Sequence, residues 1–364
     1  MKLILNQENL SKTLNIVSRI ASARTSLPIL NNILIRAEKN YITLSTTNLE
    51  LSIIETIPAK IEKSGVITVP AKILADFVYQ LPKTDVSLEV NNNKIKISAG
   101  NYKSIINTTP PDEFPILPKL SEDIKLTIQS DLFKEAASQT IIVAGNDTTR
   151  PILTGLYLHT YEKNLYITAT DGYRLAERKI IAITDEINAI IPSTTINEVL
   201  RVITDEISDV EIKINDEQIS FQIGTIIITS RLIDGKFINY RELIPKKTEN
   251  SAVLDKNEFL RVVKISELFA RESAGSIIIK TNLKKQQLKI NSITSEIGEN
   301  SAEIEGEIIG DEGTITLNSK YLIDALNVIN SDRVKFNFSG KLSPSLLTAD
   351  GNLDYKHIIM PVKS

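Results

Sequence analysis

One stretch is written three times in this chain, and that recurrence limits what the chain can fold into. Val69–Leu81 (VPAKILADFVYQL) returns as Ile191–Ile203 (IPSTTINEVLRVI) and again as Leu317–Ile329 (LNSKYLIDALNVI). Each copy sets apolar residues at i, i+3, i+4 and i+7: Leu74, Phe77, Val78, Leu81; Ile196, Val199, Leu200, Ile203; Leu322, Ala325, Leu326, Ile329. That spacing makes one apolar face on an α-helix. An acidic residue holds the matching place in each: Asp76, Glu198, Asp324. The copies stand about 120 residues apart, so the repeated unit is the size of a domain.

A longer match fixes the alignment of the first two units. TSLPILNNILIRAEKNYITLSTTNLELSI and TTRPILTGLYLHTYEKNLYITATDGYRLA run together without a gap, Pro28 on Pro151, Leu44 on Ile167 and Asn48 on Asp171. Period-two alternation in Ile33–Ile35 and Ile42–Leu44 predicts strands. A first helix is expected near Gln7–Arg19, Ser130–Thr140 and Asn257–Phe269. Strand pairs flank the turns Asn91–Asn93 and Asn215–Glu217. Each unit reads β-α-β-β-β-α-β-β or close to it. Proline-dense Thr108–Pro118 and the stretch Tyr240–Ser251 serve as connectors. The expected fold is α+β: three tandem repeats of a sheet-and-two-helix domain, at 1–120, 121–246 and 247–364, helices on one side of the sheets. Three such units would form an arc with the helices on its concave side.

Composition narrows the chemistry. The chain has 364 residues, no cysteine and two histidines, His159 and His357, so a zinc site or thiolate chemistry is not expected and a reducing cytoplasm is. The N-terminus has too short an apolar run for a secretion signal, and no run approaches the ~20 apolar residues of a membrane helix. Net charge is −3, against a generic nucleic-acid binder, yet a basic stripe can sit on an acidic protein. Lys12, Arg19, Arg24, Lys72, Lys134, Arg201, Lys256, Arg261, Lys264 and Lys320 fall on or beside the six expected helices. There is no GxSxG, Walker loop, GxGxxG or HExxH, and Asp171, the one carboxylate worth naming as an acid, has no partner beside it. No cofactor is expected.

Thr170–Leu175 (TDGYRL) departs from its repeat partner Thr47–Leu51 plus Ser52: Gly172 replaces Leu49 and Arg174 replaces Leu51. It reads either as a binding loop or as a strand-end turn with a surface arginine. Ile358–Val362 (IIMPV) reads either as an adaptable apolar surface or as an edge strand blunted by proline. Lys94, Lys96 and Lys103 in the first unit oppose Glu296, Glu299, Glu303, Glu305 and Glu307 within Ser295–Glu307 of the third. Such opposite signs suit head-to-tail pairing, which closes into a ring if the rotation allows; two unrelated solvated faces explain them as well.

LPIL at Leu27–Leu30, ATDGYRLA at Ala169–Ala176, DGKFINYRELIP at Asp234–Pro245 and HIIMPV at His357–Val362 resemble, with the rest of the chain, the bacterial sliding-clamp family, the β processivity subunits of DNA polymerase III. The resemblance implies a head-to-tail homodimeric ring whose helices line a hole for double-stranded DNA. It implies no catalysis, and partners that include the polymerase catalytic subunit, the clamp loader and other polymerases and repair proteins carrying clamp-binding motifs. A partner-peptide cleft is implied at Leu153, Thr170, Gly172, Tyr173, Arg174, Leu175, Ile238, Leu243, Asn318, Tyr321, Ile358, Met360, Pro361 and Val362, with Tyr and Arg as anchors. Glu242 and Pro344 depart from the family pattern there. DNA contact is implied at Arg24, Lys72 and the loop Asn146–Ile152, with Arg150 as a phosphate contact and Pro151 and Ile152 in place of a tyrosine pair. A repeat scaffold that binds peptides without encircling DNA is the alternative.

Overall fold

The computed structural model describes residues 1–21, 27–117, 124–270, 273–294 and 298–362. One order of elements recurs. The first round is β1 (Lys2–Asn6), α1 (Gln7–Ala21), β2 (Asn32–Glu38), β3 (Tyr41–Thr47), β4 (Leu51–Pro58), β5 (Lys60–Lys63), β6 (Gly65–Pro70), α2 (Ala71–Gln80), β7 (Asp85–Asn91), β8 (Lys94–Ala99) and β9 (Tyr102–Asn107). The second is β10 (Ile124–Gln129), α3 (Ser130–Ile141), β11 (Gly155–Tyr161), β12 (Asn164–Thr170), β13 (Arg174–Ala182), β14 (Asn188–Pro192), α4 (Ser193–Val202), β15 (Asp209–Ile214), β16 (Gln218–Ile223) and β17 (Ile226–Arg231). The third is β18 (Asn250–Asp255), α5 (Lys256–Leu268), β19 (Ser276–Asn282), β20 (Gln287–Thr294), β21 (Gly298–Ile309), β22 (Thr314–Asn318), α6 (Ser319–Val328), β23 (Arg333–Phe338), β24 (Ser345–Ala349) and β25 (Asn352–Ile359).

The expected order lacks two strands in the second and third rounds and three in the first, where the short β5 is also added; two kinds recur in every round. β6, β14 and β22 run straight into a helix, so Val69, Ile191 and Leu317 end strands, although their apolar pattern continues into α2, α4 and α6. At the third of these junctions Asn318 makes the switch, its side chain accepting the amides of Lys320 and Tyr321. The other additions, β9, β17 and β24, fold against their neighbours through two-residue turns: Gly100–Asn101, Gly224–Thr225 and Asp350–Gly351. The helical faces behave as their spacing predicts. Leu74, Val78, Ile196, Val199, Leu322, Ala325 and Leu326 are fully buried, and Phe77 and Leu200 are half-buried.

The chain packs as two compact units, Met1–Asp131 with Asn197–Leu232, and Leu132–Ile196 with Ile233–Ser364. The first holds the sheets β5-β1-β7-β8-β9 and β10-β15-β16-β17-β4-β3-β2-β6. There α1 packs on α2 and against strands of both sheets. The second holds one twelve-stranded sheet, β14-β11-β12-β13-β25-β24-β23-β18-β21-β20-β19-β22, with α5 packed on α6 and on β18–β21. Both units join strands of successive repeats side by side. β4 pairs with β17, Ile53 opposite Ile228, and β13 pairs with β25, Leu175 opposite Ile358. Strand pairing therefore crosses repeat limits, and the compact units do not coincide with the repeats.

Of the expected helix-borne cations, Lys12 and Lys72 are exposed in the first unit, and Arg261, Lys264 and Lys320 in the second. Others are engaged. Arg19 and Arg201 both approach the Glu198 carboxylate, at 3.7 and 2.6 Å, and Lys256 Nζ donates to Ile329 O. Arg24 lies outside the described residues.

Candidate functional site

β13 reads Arg174-Leu175-Ala176-Glu177-Arg178, and side chains alternate across a strand. Leu175 and Glu177 therefore face one side, Arg174 and Arg178 the other. On the first side Leu175 joins Ile358, Leu346, Ile190, Phe237 and Tyr240 in a buried cluster, with Ile152, Tyr157, Ile233 and Ile244 packed against it. The segment 233–244 is thus laid over the β13–β25 seam. A Cβ on Gly235, whose φ is +127°, would come within 2.8 Å of Ile152 Cδ1, so glycine allows this close approach. Around the cluster, Tyr173, Ile238, Leu243 and Met360 stay exposed, at 61%, 41%, 43% and 37%. Leu153, Pro361 and Val362 are half-buried.

The loop before β13 is an Asx turn. Asp171 Oδ1 accepts the amides of Tyr173 and Arg174, while Thr170 Oγ1 donates to Arg174 O and accepts from Gly172 N. The first repeat builds the same turn: Asn48 Oδ1 accepts from Glu50 and Leu51, and Thr47 Oγ1 donates to Leu51 O. Leu49 there has φ +78°, against +93° for Gly172. Leu49 shows that a turn of this plan can hold a side chain at positive φ, and a Cβ on Gly172 would meet only Arg150 Nη1, at 3.7 Å. The strand that follows is docked alike in both places: Met360 N–H donates to Tyr173 O, and Arg231 N–H donates to Glu50 O, each at 2.9 Å. Val362 N–H then donates to Thr316 O, which fastens the chain end along β22.

Arg174 corrects an expectation. It is not a free anchor for a partner. Its Nε donates to Asp171 (3.0 Å), its Nη1 to Asp324 on α6 (2.6 Å) and its Nη2 to Ile142 O (3.0 Å), and its guanidinium lies 4.4 Å from the Tyr321 ring centre. Its side chain is only 10% exposed. The planar fork suits such three-way use. Arg174 bolts the β13 turn to α6 and so fixes Tyr321, while Asn318, engaged as the α6 cap and donating to Ala274 O, fixes Tyr321 from the other direction.

Sequence reasoning missed a buried polar group on the opposite side. Glu177 has no exposure. Its carboxylate accepts from Tyr240 Oη (2.5 Å) and Lys356 Nζ (3.0 Å) and lies 3.0 Å from Arg241 Nη2. Arg241 stacks over Tyr161 and Tyr166, at 3.7 and 4.4 Å. His159 Nε2 is 3.0 Å from Tyr240 Oη. Because that hydroxyl donates to Glu177, the imidazole proton belongs on Nε2. Burial, then the nearby Arg241 charge, lowers the His159 pKa to about 4. The signal was present: alternation sets an acid at 177 on the face of Leu175.

The residues implied for DNA are divided between the two compact units. Lys72 belongs to the first compact unit, and Asn146, Arg150, Pro151 and Ile152 to the second. Asn146, Arg150 and Pro151 are exposed, Arg150 paired with Asp147 at 3.1 Å. Ile152 instead packs against the cluster beside Phe237. Among the described residues no group of His, Cys, Asp and Glu could hold a metal ion, and no helix is long and apolar enough to cross a membrane.

Three family models match in order: the DNA polymerase III beta subunit N-terminal domain over residues 1–118, its central domain over 127–239 and its C-terminal domain over 241–363. The chain is 30% identical to the beta sliding clamp of Staphylococcus aureus and 29% to that of Bacillus subtilis, covering all of both sequences in each case. The crystal structure of the Bacillus subtilis DNA polymerase sliding clamp superposes with a TM-score of 0.96 at 29% identity, over 100% of this chain and 99% of that one. A Pseudomonas aeruginosa sliding clamp bound to griselimycin gives 0.95 at 27%, over 100% of both.

Two measurements test this geometry. A double-mutant cycle on Arg174→Ala and Asp324→Ala should return a coupling of about 2 kcal/mol in unfolding free energy, and a value near zero would mean solvent screens the bridge. Burial lowers the pKa of both histidines, His159 to about 4 and His357 to about 3, from 6.5. Protons therefore bind the unfolded chain more readily. The stability this contributes is complete above pH 6.5 and drains away as pH falls toward 4 and then 3. Thermal melts across that window should show it, with His159→Gln flattening the upper part.

Proposed function

The chain belongs to the DNA polymerase III beta subunit family, and from that premise we propose that it is a DNA sliding clamp, a head-to-tail homodimer closed around double-stranded DNA that tethers the replicative polymerase to its template. The observation that carries this is the match of all three domain models, in order, along one chain. Domain limits are drawn after residues 120 and 246. A closed ring turns dissociation into a topological problem, and the tether keeps polymerase at high effective concentration beside the primer end. No catalytic step is assigned to it. Its place is the bacterial cytoplasm, with the chromosome.

Sliding requires contact with phosphates and not with base edges. Exposed Lys12, Lys72, Arg261, Lys264 and Lys320 on the helices are assigned to that role, and so are Arg24, Asn146, Arg150 and Pro151. Two edges support the dimer. β9 ends its sheet beside exposed Lys94, Lys96 and Lys103. In β21, residues 298–305 pair with β20, and only 306–309 also meet β18, while Glu299, Glu303, Glu305 and Glu307 are exposed; Glu296 lies outside the described residues.

The partner cleft is assigned to the β13–β25 seam. Its floor is Leu175, Ile358 and Leu346, its rim Tyr173, Ile238, Leu243, Met360, Pro361 and Val362, and its supports Leu153, Thr170, Gly172, Arg174, Asn318 and Tyr321. Glu242, bonded to Asn239 Nδ2 at 2.6 Å, and half-buried Pro344 tune which peptide enters. Polymerase, clamp loader and repair proteins compete for this groove.

The protein loaded on nicked circular DNA should stay bound through gel filtration and be lost once the circle is cut. Equal loss from both templates would leave a peptide-binding scaffold in place of a clamp. Truncation after Ile359 should abolish polymerase docking and leave the dimer intact by native mass. The cut must spare Ile358 and Ile359, which are buried and paired with both β13 and β24. Unchanged processivity in that variant would overturn the cleft assignment.

A further inference from the structure

We propose that Glu177 is a positioning residue for partner docking: from the face of β13 that carries Leu175 it sets where the cleft wall formed by Ile238 and Leu243 stands. The inference rests on the docking reading of the same cleft. Glu177 lies outside every residue assigned to that cleft, and its side chain is wholly buried. Three groups converge on its carboxylate: Tyr240 Oη and Arg241 Nη2 from the wall segment, and Lys356 Nζ from β25, two residues before Ile358.

The wall depends on this grip. Beyond Ile233, whose N–H donates to Ile190 O and fastens the segment's start, the wall's backbone bonds are local: Tyr240 N–H to Ile238 O and Ile244 N–H to Arg241 O. Bonds of that kind shape a turn and do not place it on the sheet. Placement comes from Phe237 and Tyr240 in the apolar cluster and from the carboxylate that ties Tyr240 and Arg241 to β13. The short helical turn Tyr240–Leu243 begins at the anchored tyrosine and ends at exposed Leu243, with Ile238 two residues ahead of it. A shift at Tyr240 therefore moves both apolar wall residues.

Removing the carboxylate's charge does more than delete a contact. Arg241 and Lys356, their side chains 22% and 23% exposed, would then share the site without a counter-ion. Their mutual repulsion opens the segment away from β25. Arg241 and Lys356 also line the cavity of about 780 Å³ beneath Ile238, which gives the segment room to move.

The test uses the full-length dimer and a fluorescein-labelled short hydrophobic clamp-binding peptide of the cognate polymerase catalytic subunit, read by anisotropy. Glu177→Gln should weaken the peptide about ten-fold and leave the dimer's native mass unchanged. Adding Lys356→Met to that variant removes one unmatched cation and should recover most of the loss. Tyr240→Phe, which deletes only the hydroxyl, should weaken binding by about three-fold and serves if Glu177→Gln fails to fold. Affinities within two-fold of wild type for both Glu177→Gln and Tyr240→Phe would overturn the proposal, as would an equal loss with no recovery by Lys356→Met. If the wild-type protein itself ignores the peptide, the docking reading fails and this inference falls with it.

Discussion

The backbone pairing of β13 with β25 is the contact on which the site is built. β13 is hydrogen-bonded on one edge to β12 of its own repeat and on the other to the last strand of the next. Apolar side chains come together there because of that ladder: Leu175 stands opposite Ile358, and Ile358 in turn opposite Leu346. A strand that is central in the sheet, with both edges used, gives a rigid floor. The apolar floor is thus a product of how repeats are joined, and neither repeat carries it alone.

Alternation then lets one strand do two unrelated jobs. On one side Arg174 spends its guanidinium on Asp171, Asp324 and Ile142 O, and Arg178 reaches Glu135. On the other, Leu175 supplies apolar surface and Glu177 gathers Tyr240, Arg241 and Lys356. Burying these charges is costly unless each is paired and hydrogen-bonded. They are paired, and the geometry they impose is specific: one set fixes helix to sheet, the other fixes connector to sheet. β25 follows the same rule, with Lys356 and Ile358 toward the connector and Tyr355 donating to Gln139 O toward α3.

Much of this could be read in the residues. The triple helix pattern, the ungapped match of the first two repeats and the turn at Asp171 all reflect local periodicity or local hydrogen bonding, which sequence spacing reports well. The paired elements β2 and β11, and β3 and β12, keep the offset that sets Pro28 on Pro151. Strand-to-helix junctions were harder, because Val69, Ile191 and Leu317 satisfy the helical pattern while ending strands. The state of Arg174 could not be read from its neighbours, since Asp324 lies 150 residues away along the chain. Glu177 was hidden for the same reason: its partners are brought in by the third repeat and by the connector. The role of Ile152 followed from family likeness, whereas its packing beside Phe237 follows from the fold.

The two Asx turns, at Asp171 and at Asn48, are built on one plan, down to the amide that docks on each: Met360 on Tyr173, Arg231 on Glu50. Only the surroundings differ. Where the later copy has Gly172, Leu175 and Ile358, the earlier one has Leu49, Ser52 and Thr229, and its hollow is closed by Gln218 and Arg231. Duplication has therefore left a blank beside the printed page. Exchanging Ser52 and Thr229 for their apolar counterparts would give the earlier turn an apolar floor like that of the later one.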